Sequence, residues 1–307
     1  MFASIKTLLT SVVDYAGLFP PASLNLVESI ENYKQSEETA YRWMLGSFVL
    51  PETRLTEFEA LISNHSQRDA KPYSLSVIVS KDLGLEPERI YDRIFSSRSV
   101  FSGESSSIHD VVIVALEFPH LLPTEIGNLL PHLPVGMDTF FEVPVDADLQ
   151  PYFEVLQNTG AFIKVRTGGI TASAFPDANQ LSQFMVNCAH VRVPFKATAG
   201  LHHPLRGIYP VTYNPGSPST TMHGFLNLTV AAALAYGQKA TVDDLAELLQ
   251  DQAIAHFQFT SDSLSWKEYH LTLDEISKTR REFFHSFGSC SFTEPIDGLK
   301  ELSLIEE

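Results

Sequence analysis

Phe162-Ile163-Lys164-Val165-Arg166-Thr167-Gly168-Gly169 is followed by Leu181, Phe184 and Met185 at helical spacing, and then by Pro194-Phe195-Lys196-Ala197-Thr198-Ala199-Gly200. This run reads as strand, helix, strand. Residues two apart on a strand share a face. Ile163 and Val165 therefore take one side of the first strand, while Lys164 and Arg166 take the other. In the second strand Phe195 faces opposite to Lys196 and Thr198. The apolar sides belong against helices, which leaves the cations for the inner side of the sheet.

The same unit recurs in both directions. Short apolar runs lie at Val12–Tyr15, Leu45–Leu50, Leu75–Val79, Val111–Leu116, Thr139–Val143, Phe162–Val165, Pro194–Ala197 and Ala253–Phe259. Most lack strict alternation, as expected of strands covered on one side by helices and on the other by a packed interior. Helical spacing separates them, at Leu26/Ile30/Tyr33, Phe58/Leu61/Ile62, Ile90/Ile94/Phe95, Ile126/Leu129/Leu130, Phe153/Leu156/Gln157, Leu181/Phe184/Met185, Leu226–Leu234 and Ile276/Phe283/Phe284. Eight strands alternating with eight helices, without a break in composition, predict an α/β fold of the (β/α)8 TIM-barrel class. The expected organisation is one barrel over residues 1–307, with a long proline-rich loop at 204–221 and a C-terminal extension at 287–307. Ser96–Ser107 reads as a serine-rich surface loop.

Composition narrows the function. The chain of 307 residues is 44% hydrophobic and carries 21 basic against 37 acidic residues, a net charge near −16. So acidic a surface repels phosphodiester backbones and anionic lipid, so neither nucleic acid nor membrane is an expected partner. A small-molecule substrate is expected, an anionic one included, since cations clustered in a cleft can oppose the global field. A homo-oligomer is compatible with the sequence. Only Cys188 and Cys290 occur, which makes no disulfide framework and no zinc motif. The N-terminal residues lack the apolar core of an export signal, and a cytoplasmic location is expected. No cofactor motif is present.

In barrel enzymes chemistry sits at the carboxyl ends of the strands. Those positions carry Asp14 on the first strand, Glu117 on the fourth, Glu142 on the fifth, Lys164 and Arg166 on the sixth, and Lys196, Thr198, His202 and His203 on and after the seventh. Three inward cations on adjacent strands need carboxylates or an anionic ligand, and Glu117 and Glu142 are the natural partners. Neighbouring strands lie about 5 Å apart, so the two ammonium groups are expected to depress each other's pKa. A lysine made neutral in this way can attack a carbonyl and form a Schiff base; an anion clamp or a structural ion network would need the same residues. Thr167, Gly168 and Gly169 offer backbone amides for an anion, or merely a tight turn.

Phe162-Ile-Lys-Val-Arg-Thr-Gly-Gly together with Pro194-Phe-Lys-Ala-Thr-Ala-Gly resembles the strand-six and strand-seven motifs of the class I deoxyribose-phosphate aldolases and their barrel relatives. The resemblance implies that Lys164 forms the Schiff base and that Lys196 tunes it. Two features differ. With the eighth strand at Ala253–Phe259, Thr260-Ser-Asp-Ser-Leu-Ser265 stands where the family has a glycine- and serine-rich phosphate loop, so a phosphorylated sugar is not expected. Glu117 or Glu142 replaces the family's proton-relay aspartate.

The expected function is therefore an aldolase-like lyase acting on a small carbonyl or carboxylate compound. Lys164 is the nucleophile, Lys196 and Arg166 are its electrostatic partners, Glu142 is the acid/base, and Asp14 is a second candidate acid. Thr167, Gly168, Gly169, Thr198, His202, His203 and Glu117 contribute to substrate binding. A metal-assisted hydrolase or lyase using Asp14, His202 and His203 is the alternative, although no ligand set has motif-grade spacing. A non-catalytic metabolite-binding barrel is a third reading.

Overall fold

Lys164 and Lys196 are direct neighbours because their strands pair in parallel register, Ile163 with Phe195, Lys164 with Lys196, Val165 with Ala197 and Arg166 with Thr198. The computed structural model describes residues 1–63, 71–95 and 111–306. Its strands in chain order are β1 (Val13–Tyr15), β2 (Leu45–Pro51), β3 (Tyr73–Ile78), β4 (Val111–Phe118), β5 (Asp138–Glu142), β6 (Phe162–Arg166), β7 (Phe195–Thr198), β8 (Gly207–Pro210), β9 (Ser219–Met222), β10 (Phe257–Phe259), β11 (Ser263–Trp266), β12 (Tyr269–Thr272) and β13 (Phe284–Ser289). Eight of these, β1 to β7 and β13, close into a parallel barrel in which β13 lies between β7 and β1. The expected (β/α)8 barrel is the observed fold.

Outward-facing side chains bind the helices to the barrel. Phe195 meets Phe184 of the Ala178–Val191 helix edge-on, with ring centroids 5.4 Å apart. Phe118 and Phe141, on adjacent strands, stack at 5.1 Å. The Phe225–Tyr236 helix is buried along its whole length, which explains why its sequence is apolar on every side. It packs against the Ala178–Val191, Val242–Gln250 and Leu273–Glu282 helices.

The closing strand differs from expectation. Ala253–Phe259 does not enter the barrel: Phe257–Phe259 pairs antiparallel with β11, in a separate sheet of β10, β11 and β12. The eighth barrel strand is Phe284–Ser289, which pairs parallel with both β1 and β7. The helix containing Ile276 runs from Leu273 to Glu282 and precedes this strand, so Phe284 is a strand residue. The 287–307 stretch expected as an extension supplies the end of the closing strand and the Thr293–Glu301 helix after it. Ala253–Phe259 is a short apolar run, whereas Phe284–Ser289 intersperses its two phenylalanines with His285, Ser286, Gly288 and Ser289, and it is the parallel pairing with β1 and β7 that makes it the closing strand. The 204–221 loop is likewise built, since it carries the β8–β9 hairpin. Ser96–Ser107 lies outside the described residues.

β13 carries a bulge. Its register shifts between Phe284, opposite Phe195, and Phe287, opposite Ala197. Both phenylalanines pack outward, Phe284 against Phe195 and Phe287 stacked on Phe225 at 5.2 Å. The extra residue turns both His285 and Ser286 toward the interior, where His285 meets Phe162 and Ser286 meets Asp14. Phe287→Ala removes a fully buried ring from the closing strand. It is expected to cost about 3–5 kcal/mol in urea unfolding, whereas an appended tail would tolerate it at little cost.

Candidate functional site

Four charged side chains are buried inside the barrel: Asp14 from β1, Glu117 from β4, Lys164 from β6 and Lys196 from β7, exposed by 6%, 2%, 4% and 1% respectively. Lys196 Nζ donates to Asp14 Oδ2 at 2.6 Å and to Glu117 Oε1 at 2.7 Å. The other Glu117 oxygen, Oε2, lies 3.2 Å from Lys164 Nζ, so one carboxylate bridges both lysines. Glu142, next to Lys164 in register, places Oε2 3.3 Å from its Nζ. At the rim Arg166 Nε and Nη2 each reach Glu142 Oε1 at 3.2 Å. Three carboxylates thus meet three cations.

Serines complete the carboxylates' valences. Ser47 donates its amide and hydroxyl to Asp14 Oδ1, Ser286 its hydroxyl to Asp14 Oδ2, and Ser76 its hydroxyl to Glu117 Oε1. Burial alone would raise the Glu117 pKa. The adjacent Lys196 and Lys164 charges, with hydrogen bonds from Lys196 and Ser76, instead bring it down to about 2. Lys196 is the mirror case: burial disfavours its charge, and Asp14 and Glu117 outweigh burial, so its pKa is raised. The expected depression of Lys196 by its lysine neighbour is overturned, because a carboxylate stands between the two ammonium groups.

The two lysines are held differently. Lys196 makes two short, well-directed hydrogen bonds. Lys164 has ion-pair contacts at 3.2 and 3.3 Å but no hydrogen bond of standard geometry among the described residues. Under the charges lies an aromatic floor. The Phe140 ring centroid is 4.9 Å from Lys196 Nζ, Phe140 stacks on Phe162 at 5.0 Å, and His285 abuts Phe162 at 4.3 Å. Burial, reinforced by Arg280 and Lys196, pushes the His285 pKa down to about 4, and its Nε2 is sealed without a partner.

Above the charges opens a cavity of about 550 Å³ at the carboxyl ends of the strands. Glu117, Glu142, Lys164, Arg166, Lys196, Thr198, Gly168, Gly169 and His202 line it, along with apolar Phe19, Val49, Ile78 and Ile170. Other residues expected there stand elsewhere. Asp14 lies behind Lys196, with both carboxylate oxygens engaged. Thr167 is buried and donates its hydroxyl to Ala199 O at 2.7 Å, tying the end of β6 to the loop after β7. His203 stacks on Tyr209 at 3.5 Å. Gly168 is a close-approach glycine: a Cβ there would meet Gly200 Cα at 2.7 Å and Phe175 at 2.6 Å. Asp14, His202 and His203 therefore do not converge. Among the described residues no group of three or more His, Cys, Asp or Glu side chains gathers to hold a metal ion.

Several participants escaped the sequence reading. His202 Nδ1 lies 2.8 Å from Glu294 Oε2, and Tyr213 donates to the same oxygen at 2.9 Å. Cys290 lines the cavity; burial raises its pKa, in keeping with an unreactive thiol. Ser286, Cys290 and Glu294 lie on or just after β13, and misplacing that strand hid them. The signal was Phe287-Gly288-Ser289-Cys290-Ser291, a phenylalanine running into small residues suited to a strand end beside a cavity. With β13 in place, the loop after the eighth barrel strand consists of residues 290–292, and the segment after Phe259 belongs to the separate antiparallel sheet.

No helix among the described residues is long and apolar enough to cross a membrane. No protein-family model and no curated protein matches the chain.

Replacing Lys196 with Met leaves Asp14 and Glu117 buried without their shared cation, and is expected to cost about 3–5 kcal/mol by denaturant titration. Stability is also expected to fall on acidification in two windows. His285 titrates near 6.5 unfolded and about 4 folded, so the unfolded chain takes up the proton first as pH drops from 6.5 to 4. Glu117 does the same between 4.5 and about 2. His285→Phe should flatten the first window of the urea midpoint against pH, and Glu117→Gln the second.

Proposed function

We propose that this barrel is a class I lyase in which Lys164 Nζ forms a Schiff base with a small carbonyl substrate. The observation that carries the reading is the inequality of the two lysines. Both lysines line the cavity; Lys196 is locked as a fixed cation by two short hydrogen bonds, while among the described residues Lys164, one strand away, is held by ion-pair contacts at 3.2 and 3.3 Å. A nucleophile needs a free electron pair and access, and of the two lysines it is Lys164 that the geometry leaves free to turn toward a substrate.

The acid and base roles derive from the carboxylates. Glu117, held at about 2, stays ionised and anchors both lysines. Glu142 stands at the cavity edge, 3.3 Å from Lys164, and takes the ammonium proton. The neutral amine adds to the carbonyl carbon, and the carbinolamine loses water with a proton returned from Glu142, leaving an iminium ion. The iminium withdraws the electron pair of the carbon–carbon bond that breaks, leaving an enamine and a first carbonyl product. The enamine carbon takes up the proton given up by the departing fragment, and water hydrolyses the resulting iminium to release the second product and the Lys164 ammonium. Lys196 supplies a constant positive potential throughout, above the aromatic floor of Phe140, Phe162 and His285. The roles of the two lysines are those implied by the resemblance to the deoxyribose-phosphate aldolases, whereas Glu142 stands in for the family's aspartate. With a net charge near −16, the proposed setting is the cytoplasm, with a small molecule as the partner rather than nucleic acid or membrane.

Borohydride reduction in the presence of acetone, acetaldehyde or pyruvate should leave a single adduct mapped by mass spectrometry to the Lys164 peptide, and Lys164→Ala should abolish it. Absence of an adduct with every member of a wider panel of aldehydes, ketones and keto acids would sink the reading in favour of a barrel that binds metabolites without covalent chemistry.

A further inference from the structure

We propose that His202, positioned by Glu294, is the group that removes the hydroxyl proton of a β-hydroxycarbonyl substrate, so that the Schiff-base reaction at Lys164 is a retro-aldol cleavage. The inference rests on the Schiff-base reading and specifies its substrate class. His202 lines the same cavity as Lys164 and is carried by the loop after β7, whereas Glu117 and Glu142 stand on β4 and β5.

The imidazole is oriented through one edge. Nδ1 lies 2.8 Å from Glu294 Oε2, with Ser289 Oγ more distant at 3.4 Å. Nε2 makes no hydrogen bond among the described residues, and it does not belong to the polar atoms sealed from solvent without a partner. An ionised carboxylate only accepts, so Nδ1 carries a proton toward Glu294, and in the neutral ring the lone pair is on Nε2. Burial would favour the neutral acid at Glu294; hydrogen bonds from His202 and Tyr213 overcome it and keep the carboxylate charged. The titratable groups around the imidazole are Glu294, Tyr213 and Cys290, with His203 next in the chain and stacked away on Tyr209. Tyr213 lies between β8 and β9, so the oxygen that orients His202 also fastens the hairpin beside the cavity.

The protons and electrons balance. With the substrate held as an iminium on Lys164, Nε2 takes the proton of the β-hydroxyl. The O–H electron pair becomes the second bond of the departing aldehyde's carbonyl. The carbon–carbon pair moves into an enamine and neutralises the iminium nitrogen. Nε2 then returns its proton to the enamine carbon, and water hydrolyses the imine to free the ketone. No oxidant, reductant or further co-reactant is needed.

The test uses two probes on the full chain. Acetone with borohydride reports imine formation alone. A naphthyl β-hydroxyketone, whose cleavage releases acetone and a fluorescent naphthaldehyde, reports the complete reaction. His202→Gln should trap acetone on Lys164 as the wild type does, while kcat for the hydroxyketone falls about 100-fold or more. Added imidazole should restore part of the rate in His202→Gly. Glu294→Gln should lower kcat while leaving KM unchanged, which separates orientation from binding and provides a second variant should those at His202 fail to fold. Cleavage by both His202→Gln and Glu294→Gln within about threefold of wild type, against the loss expected of a general base, overturns the assignment. So does wild-type protein that traps acetone yet leaves the hydroxyketone intact. Absence of trapping in the wild type with acetone and with every other carbonyl of the panel overturns the Schiff-base reading itself.

Discussion

The Glu117 carboxylate, shared between two lysines on neighbouring strands, is the contact around which the interior is organised. Burying Lys164 and Lys196 without it would place two like charges side by side in a medium far less polar than water, where each would lose its hydration and repel the other. One oxygen of Glu117 serves each ammonium, and Asp14 adds a second anion on the far side of Lys196. The buried quartet sums to zero charge. The acidic lone pairs left over are met by Ser47, Ser76 and Ser286, one from each of three further strands. The polar layer is thus a product of the closed ring: it draws on β1, β2, β3, β4, β6, β7 and β13 together.

Closure has a cost that the bulge in β13 absorbs. A regular strand would send either His285 or Ser286 outward; the extra residue lets both face in while Phe284 and Phe287 remain outside. Ser286 then completes Asp14, and His285 joins Phe140 and Phe162 in the floor. Beneath the charges the interior is aromatic and holds a histidine kept neutral; above them it opens to the cavity. A fixed cation, a less constrained amine and a rim carboxylate are stacked between a dry floor and an accessible mouth. The ion network is therefore sealed on one side and open to a cavity on the other.

Loops complete the mouth by contacts of two kinds. The loops after β6 and β7 touch through Gly168 and Gly200, and Thr167 hydrogen-bonds across the same junction. Thr167, Gly168 and Gly169 read as an anion-binding nest or a tight turn; the close approach of Gly168 to Gly200 gives that glycine a steric role at the junction. On the other side Glu294 joins His202 to Tyr213 of the hairpin segment. The mouth beside β7 and β13 therefore has an acid/base-capable side chain of its own, with its orientation set from the helix that follows the closing strand.

The sequence by itself determined the barrel class, seven of its eight strands, and the inward direction of Lys164, Arg166, Lys196 and Thr198. Side-chain direction along a strand is local, alternating with every residue, and can be counted without knowing what lies opposite. The pairing of acid with base was legible only as a need, since buried cations require anions. Which oxygen met which nitrogen, and hence that Lys196 is pinned while Lys164 is not, was decided by register between strands remote in sequence. The closing strand was of the same kind: Phe284–Ser289 mixes polar and small residues with its phenylalanines, and what makes it the eighth strand is that it lies between β1 and β7. With that strand came Ser286, Cys290 and Glu294, and the distinction between adjacent His202 and His203. Periodicity is written into the chain, whereas closure and partnership are properties of the ring, and only the folded structure could assign them.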